Sequence, residues 1–270
     1  MHKMFERVGA YWAPSIPVVP ISNCVHYCAF RYGRHDYNPY ETYLLQIADG
    51  AQPELARGRF TEFLRHYRPR HLGEALGCGE SLTKQYTMWD FPWNKTRPAE
   101  FDSGGGWRDY PNDCPDILTH FSARGILRQR IEEEFFWLER ALVSIRTRGY
   151  QPVRHRSFVR AVTLRRSDGT EAHLLTDGNH RVAAMSALGY KSVRIYRPAT
   201  KVIFETECDR WPGVGSKRFA REDALRVFHA YFEGNFDYQT VSSPANLITT
   251  CESKTDPSSA AMSNSNYSRV

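Results

Sequence analysis

The sequence predicts an α+β fold, a small mixed sheet with flanking helices preceded by an N-terminal helical extension, and three observations predict it. Two β-rich runs, 158–164 and 172–176, are joined through Ser167-Asp168-Gly169, which is hairpin turn chemistry. Just before them, Leu127, Ile131, Phe135, Leu138, Leu142 and Ile145 recur at intervals of three and four, the stripe of a long amphipathic helix. After the hairpin come a glycine turn, a short helix pattern at 182–188 closed by Gly189, and a strand pattern at 192–196, so helix and strand alternate in one compact unit.

The other elements follow in chain order. Several prolines, Glu6 and Arg7 interrupt the first twenty residues, and no apolar run there has the length of a signal or membrane segment. Asn38-Pro39-Tyr40-Glu41 supplies a cap, a proline at the first helical position and an early carboxylate. Tyr40, Tyr43, Leu44 and Ile47 then carry that helix, and Phe60, Phe63, Leu64 and Tyr67 mark a second one that Pro69 stops. From 72 to 115 the pattern dissolves into Gly, Pro and aromatic residues, including Trp89-Asp90-Phe91-Pro92-Trp93. Either a surface loop pinned by buried aromatics or a substrate-closing lid fits, and both require Trp89 or Trp93 to pack. The long helix ends at Gly149, and a final helix is marked by Ala224, Leu225, Phe228, Tyr231 and Phe232. Beyond about 237, Ser, Thr, Asn and Pro replace apolar periodicity, which predicts disorder. The expected division is an extension over 1–125, a core with its C-terminal helix over 126–236, and a tail over 237–270.

Composition is globular, with 41% hydrophobic and 13% aromatic residues. The net charge of +6 suits an anionic ligand, but Lys and Arg are spread along the chain, so nucleic acid is permitted and not indicated. The six cysteines are scattered, and the close pair Cys24 and Cys28 has no second pair at zinc-ligand spacing. These features describe a soluble, cytoplasmic protein with no membrane partner, in which cysteines serve as small buried hydrophobes.

The turn Asp177-Gly178-Asn179-His180-Arg181 carries the chemistry. Its glycine tolerates unusual backbone angles, and the following helix N-terminus offers free N–H groups and a dipole that attract phosphate. Arg181 adds a permanently charged fork for two phosphate oxygens, and His180 a donor or titratable group. Asn179 can cap the helix or donate to phosphate; Asp177 can fix the turn or hold a magnesium ion bridging phosphates. The bland alternative is an ordinary Asp-Gly turn in which His180 is structural and Arg181 pairs with an acidic neighbour. A second polar cluster, Arg31 through Tyr37 with His35 and Asp36, can shape an acceptor pocket or simply pack as a tyrosine-rich loop. Trp211 reads as a packed anchor rather than a base-stacking platform.

Taken together, Leu142, Ser144, Ile145, Gly149 and Pro152, then a hairpin, then Asp177-Gly-Asn-His-Arg181-Val-Ala-Ala-x-x-Ala187-Leu-Gly189-x-x-x-Val193, resemble the N-terminal domain of the ParB/sulfiredoxin superfamily over about 126–197. That resemblance implies a ParB/sulfiredoxin-like fold whose turn grips nucleotide phosphates. Sulfiredoxins need a cysteine in the turn, and Asn179 stands there, so sulfinic acid repair is not expected. Chromosome-partitioning ParB proteins continue into a helix-turn-helix domain, for which too little sequence remains after Arg197. The free serine kinases carry an aspartate-glycine-histidine-histidine-arginine turn and a glutamate base on the preceding helix, and this turn is most similar to theirs. The resemblance therefore implies a base among Glu132, Glu133 and Glu134, which the sequence alone does not separate from a solvated acidic face. The candidate residues are catalytic Glu132, Glu133, Glu134 and His180; nucleotide-binding Asp177, Gly178, Asn179, His180 and Arg181; substrate-binding His35 and Asp36; and Asp177 for the metal. The function implied is transfer of a phosphoryl group from ATP or ADP, with CTP as an alternative, and Mg2+ to a hydroxyl of a small metabolite or sugar. A non-catalytic, nucleotide-gated binding protein that contacts nucleic acid is the alternative.

Overall fold

A computed structural model describes residues 16–33, 38–67, 71–78, 82–84, 86, 90–95, 126–155, 157–198 and 202–234. In chain order they form β1 (Val18–Pro20), a 3-10 turn (Ile21–Asn23), β2 (Cys24–Val25), α1 (Pro39–Ala48), α2 (Pro53–His66), α3 (Leu72–Ala75) and α4 (Ile126–Arg148). Then follow α5 (Pro152–His155), β3 (Val159–Arg165), β4 (Glu171–Asp177), α6 (Asn179–Ala187), β5 (Ser192–Tyr196), β6 (Val202–Phe204), a 3-10 helix (Glu205–Arg210), α7 (Pro212–Gly215) and α8 (Arg221–Glu233). The tail expected to be disordered lies outside the described residues.

The architecture is α+β, with helices around a mixed six-stranded sheet. Its strand order is β1-β5-β3-β4-β2, and β6 also pairs with β3. The hairpin forms as its turn chemistry requires: Gly169 takes φ 87°, and Asp168 Oδ1 accepts the Thr170 N–H at 2.8 Å. β3 then pairs antiparallel with β4 and parallel with both β5 and β6. Pairing shifts register between Arg160 and Ala161, an irregularity opposite the end of β4 that leads into the 177–181 turn.

Alternation along β3 separates two apolar cores. Val159 and Ala161, with Leu175, Val193 and Ile195, pack under α1, α2, α4 and α6. Val162 and Leu164, with Ala172 and Leu174, pack under α8 and the aromatics Trp93, Trp211 and Phe228. Trp93 is buried and stands edge-on to Trp211 at 5.7 Å between ring centroids, so the described end of the aromatic loop is pinned by packing. Trp211 is likewise a buried anchor.

The sequence predicts only helices and loops before residue 126, and the structure has two strands there. β1 pairs antiparallel with β5, and β2 pairs parallel with β4, so residues of the expected extension complete both sides of the sheet. These strands are two and three residues long and Pro20 ends β1, so they carry no legible alternation; their partners define them. Cys24, Cys28 and Cys208 are buried, and burial pushes their thiols up to about 12, 12 and 11. No helix among the described residues is long and apolar enough to cross a membrane.

Candidate functional site

α6 begins three residues earlier than the apolar pattern suggested, so Asn179, His180 and Arg181 form its first turn and Gly178 is its N-cap. Gly178 has φ 90°, and a Cβ there would lie 2.9 Å from both Arg181 Nη2 and Val159 Cγ2. Only glycine suits that backbone and that approach. Asn179 does not cap the helix; its Oδ1 accepts a hydrogen bond from the Tyr32 hydroxyl at 3.0 Å, which ties the turn to the N-terminal segment. The backbone N–H groups of Asn179, His180 and Arg181 have no acceptor among the described residues, the ordinary condition of a helix start.

Arg181 folds back over Gly178. Its Nη1 donates to the Ser157 carbonyl at 2.5 Å and to Ser157 Oγ at 2.7 Å, and its Nη2 lies 3.2 Å from Asp177 Oδ2. The acidic-neighbour alternative for Arg181 is therefore realised, while its Nε and Asp177 Oδ1 keep no partner among the described residues. The Asp177 side chain is 57% exposed, so this edge opens to solvent.

His180 turns to the opposite side. Its Nε2 lies 2.8 Å from Glu134 Oε2 on α4, with the His180 side chain 33% exposed and that of Glu134 10%. The three candidate glutamates thus separate. Glu132 is exposed and 3.9 Å from Arg57, Glu133 is partly buried, and Glu134 is buried against the turn. The reading of the triplet as a solvated face fails for Glu134, which sits three residues after Ile131 and four before Leu138, inside the apolar stripe.

Residues before 126 complete this inner side. Tyr40, in the first turn of α1, lies 6.4 Å from the His180 ring and 5.2 Å from the His26 ring. His26 is buried, stacked on Phe30 and tilted against Tyr27, and its Nδ1 accepts the Cys28 N–H at 3.2 Å. Burial, aided by the neighbouring His180, pushes the His26 imidazole down to about 3, so it is neutral. α1 is held in place by Asn38, whose side chain accepts from Tyr40 N and Glu41 N, and by Glu41. The fully buried Glu41 carboxylate accepts from Ser186 Oγ on α6 at 2.8 Å and from Gly33 N at 2.9 Å. In the sequence Tyr40 reads only as an apolar position, Tyr32 only as a member of the Arg31 to Tyr37 cluster, and His26 and Ser157 carry no signal; His35 and Asp36 lie outside the described residues.

Among the described residues no group of three or more His, Cys, Asp or Glu converges to hold a metal ion. Asp177 Oδ1 fits a magnesium ion only in the mode where one protein carboxylate is supplemented by phosphate oxygens and water. An open cleft of about 870 Å³ lies elsewhere, where α8 meets the segment after α3, with Cys78, Arg226, His229 and Glu233 among its lining residues. It shares no residue with the turn. Size favours the cleft and chemistry the turn, since His229 is engaged by Glu205 at 3.1 Å and the cleft offers charges of both signs without a convergent set of donors.

No family model matches the chain, no curated protein matches it, and no solved structure matches it. The family resemblance rests on the motif and its spacing alone.

Proposed function

We propose that the protein is a nucleotide-dependent phosphotransferase of ParB/sulfiredoxin-like build, acting on a hydroxyl of a small metabolite or sugar. The observation that carries this reading is the 2.8 Å approach of Glu134 to His180, a carboxylate on the helix before the hairpin meeting the imidazole of the turn. The succession of helix, hairpin, glycine turn, helix and strand supports it as well.

On this reading, the free N–H groups at the start of α6 and the Arg181 guanidinium bind phosphate oxygens, with Ser157 fixing the orientation of the guanidinium. Asp177 is the residue that would hold magnesium, whose charge when bound offsets that of the phosphate oxygens. Glu134 takes the proton of the acceptor hydroxyl as that oxygen bonds to phosphorus and the nucleotide leaves, and His180 orients the carboxylate through its hydrogen bond. The non-catalytic alternative draws on the exposed Arg160 and Arg194 on neighbouring strands, which suit a polyanion such as nucleic acid.

Calorimetry with ATP, ADP and CTP plus magnesium, combined with phosphorus NMR of products, tests the reading. Arg181→Ala should weaken nucleotide binding at least tenfold, whereas Glu134→Gln should retain it and lose turnover by about a hundredfold or more. Affinity without any product, together with sequence-selective retention of nucleic acid at physiological salt, would favour the alternative, and no affinity for any nucleotide refutes both.

A further inference from the structure

Near the Glu134–His180 pair stand two polar side chains that each keep one polar atom without a partner among the described residues, the Tyr40 hydroxyl and His26 Nε2. His26 is only 3% exposed overall, yet neither its Nε2 nor the Tyr40 hydroxyl is among the sealed-in polar atoms that lack a partner, so both keep a path by which a ligand or water can answer them. The two rings are neighbours at 5.2 Å, with Tyr40 next to His180 at 6.4 Å. Because His26 Nδ1 accepts from the Cys28 N–H, the ring proton sits on Nε2, which makes that atom a donor.

We propose that Tyr40 and His26 are the acceptor-binding residues of the site, and that they select an uncharged, hydroxyl-bearing compound, a polyol or simple sugar, over an amino acid or a hydroxy acid. The inference rests on the phosphotransferase reading for what happens to the ligand, and on the geometry alone for its binding. Both donors are neutral: burial, followed by the nearby Tyr27 and Glu134, pushes the Tyr40 hydroxyl well up, and His26 is held down at about 3. Neutral donors match hydroxyl oxygens. A ligand carboxylate would exchange its hydration for neutral donors and a His180 already engaged by Glu134, and would meet the Glu134 carboxylate. The partly exposed ring of Tyr27 beside His26 supplies apolar surface against which the C–H face of a sugar packs.

The test is ligand-observed NMR, in the absence of nucleotide, of the full chain with glycerol, myo-inositol and glucose as uncharged probes and L-serine and D-glycerate as charged ones. Nucleotide affinity is measured in parallel on wild type, Tyr40→Phe and His26→Gln. The expected result is binding of at least one uncharged probe and of neither charged one, weakened about tenfold by Tyr40→Phe, with nucleotide affinity unchanged. His26→Gln, which keeps a donor while shortening its reach, should weaken the same probe less. Preference for serine or glycerate, equal binding by wild type and Tyr40→Phe, or no binding of any probe overturns the inference while nucleotide affinity still stands for the phosphotransferase. Loss of nucleotide affinity in wild type with Tyr40-dependent polyol binding intact refutes the phosphotransferase and leaves the binding site in place.

Discussion

Two sides of a single helical turn behave differently in this molecule. His180 and Arg181 are consecutive, yet His180 meets the buried Glu134 and Tyr40, with the neutral His26 behind Tyr40, whereas Arg181 meets Ser157 and the exposed Asp177 at a solvent-open strand end. The roughly 100° between successive residues on a helix is enough to place one on a more buried, aromatic side without Lys or Arg and the other on an open, cationic side. A ligand pair that is part anion and part neutral hydroxyl compound fits that division, and the strongest perturbations should be those that collapse one side without the other.

The enclosed side depends on Glu41, which ties α1 to α6 through Ser186. Glu41→Ala removes a fully buried carboxylate with at least two donors and should destabilise the fold by about 3 kcal/mol, read as a fall in the urea midpoint. If Tyr40 and His180 also separate, the NMR signature of the inner side is lost while phosphate contacts persist. At the junction, Gly178→Ala puts a Cβ into Arg181 and Val159 at a positive φ and should cost about 2 kcal/mol. Its sharper readout is a nucleotide affinity lowered as much as in Arg181→Ala, because the guanidinium must move. An unchanged affinity would mean that Arg181 is not a phosphate ligand.

Per pH unit, the smallest effect is titrational. His26 is held near 3 in the folded protein against about 6.5 in an unfolded chain, so below pH 6.5 the unfolded state binds a proton that the folded state refuses. Stability is therefore fully present above that pH and falls as pH drops from about 6.5 toward 3. His173, buried in the sheet and held at about 4, acts in the same direction. Replacing His26 with Gln should flatten the slope of unfolding free energy by about 1.4 kcal/mol per pH unit in that window. Identical slopes would place His26 in contact with water.

How much of this was legible in the sequence depends on whether a feature is set locally. The cap at Asn38, the hairpin turn at Gly169 and the end of the long helix at Gly149 are properties of a few adjacent residues, and each forms where its chemistry predicts. The 177–181 turn was legible for the same reason, although the start of α6 was displaced because the apolar pattern begins only at Val182. Glu134 was legible in principle, from its place inside the apolar stripe, but its run with Glu132 and Glu133 masked it. The roles of Tyr32 and Tyr40 arise from contacts across more than a hundred residues, for which one chain offers no local signal, and His26 gains its role only through its place beside Tyr40. β1 and β2 fail for the same reason, since three- and two-residue strands have no period to read.

β2 has a consequence for how the polypeptide reaches its native state. Its partner in the sheet, around His173, is synthesised long after Cys24, and at ribosomal speeds of roughly 5–20 residues per second the delay amounts to about seven to thirty seconds. During that interval the nascent segment has no edge to join, and once β4 and β5 emerge their open sides remain sticky until it arrives. An excised fragment starting at residue 126 would keep both sides bare, so it should associate with itself, while supplying 16–33 in trans should restore a monomeric sheet.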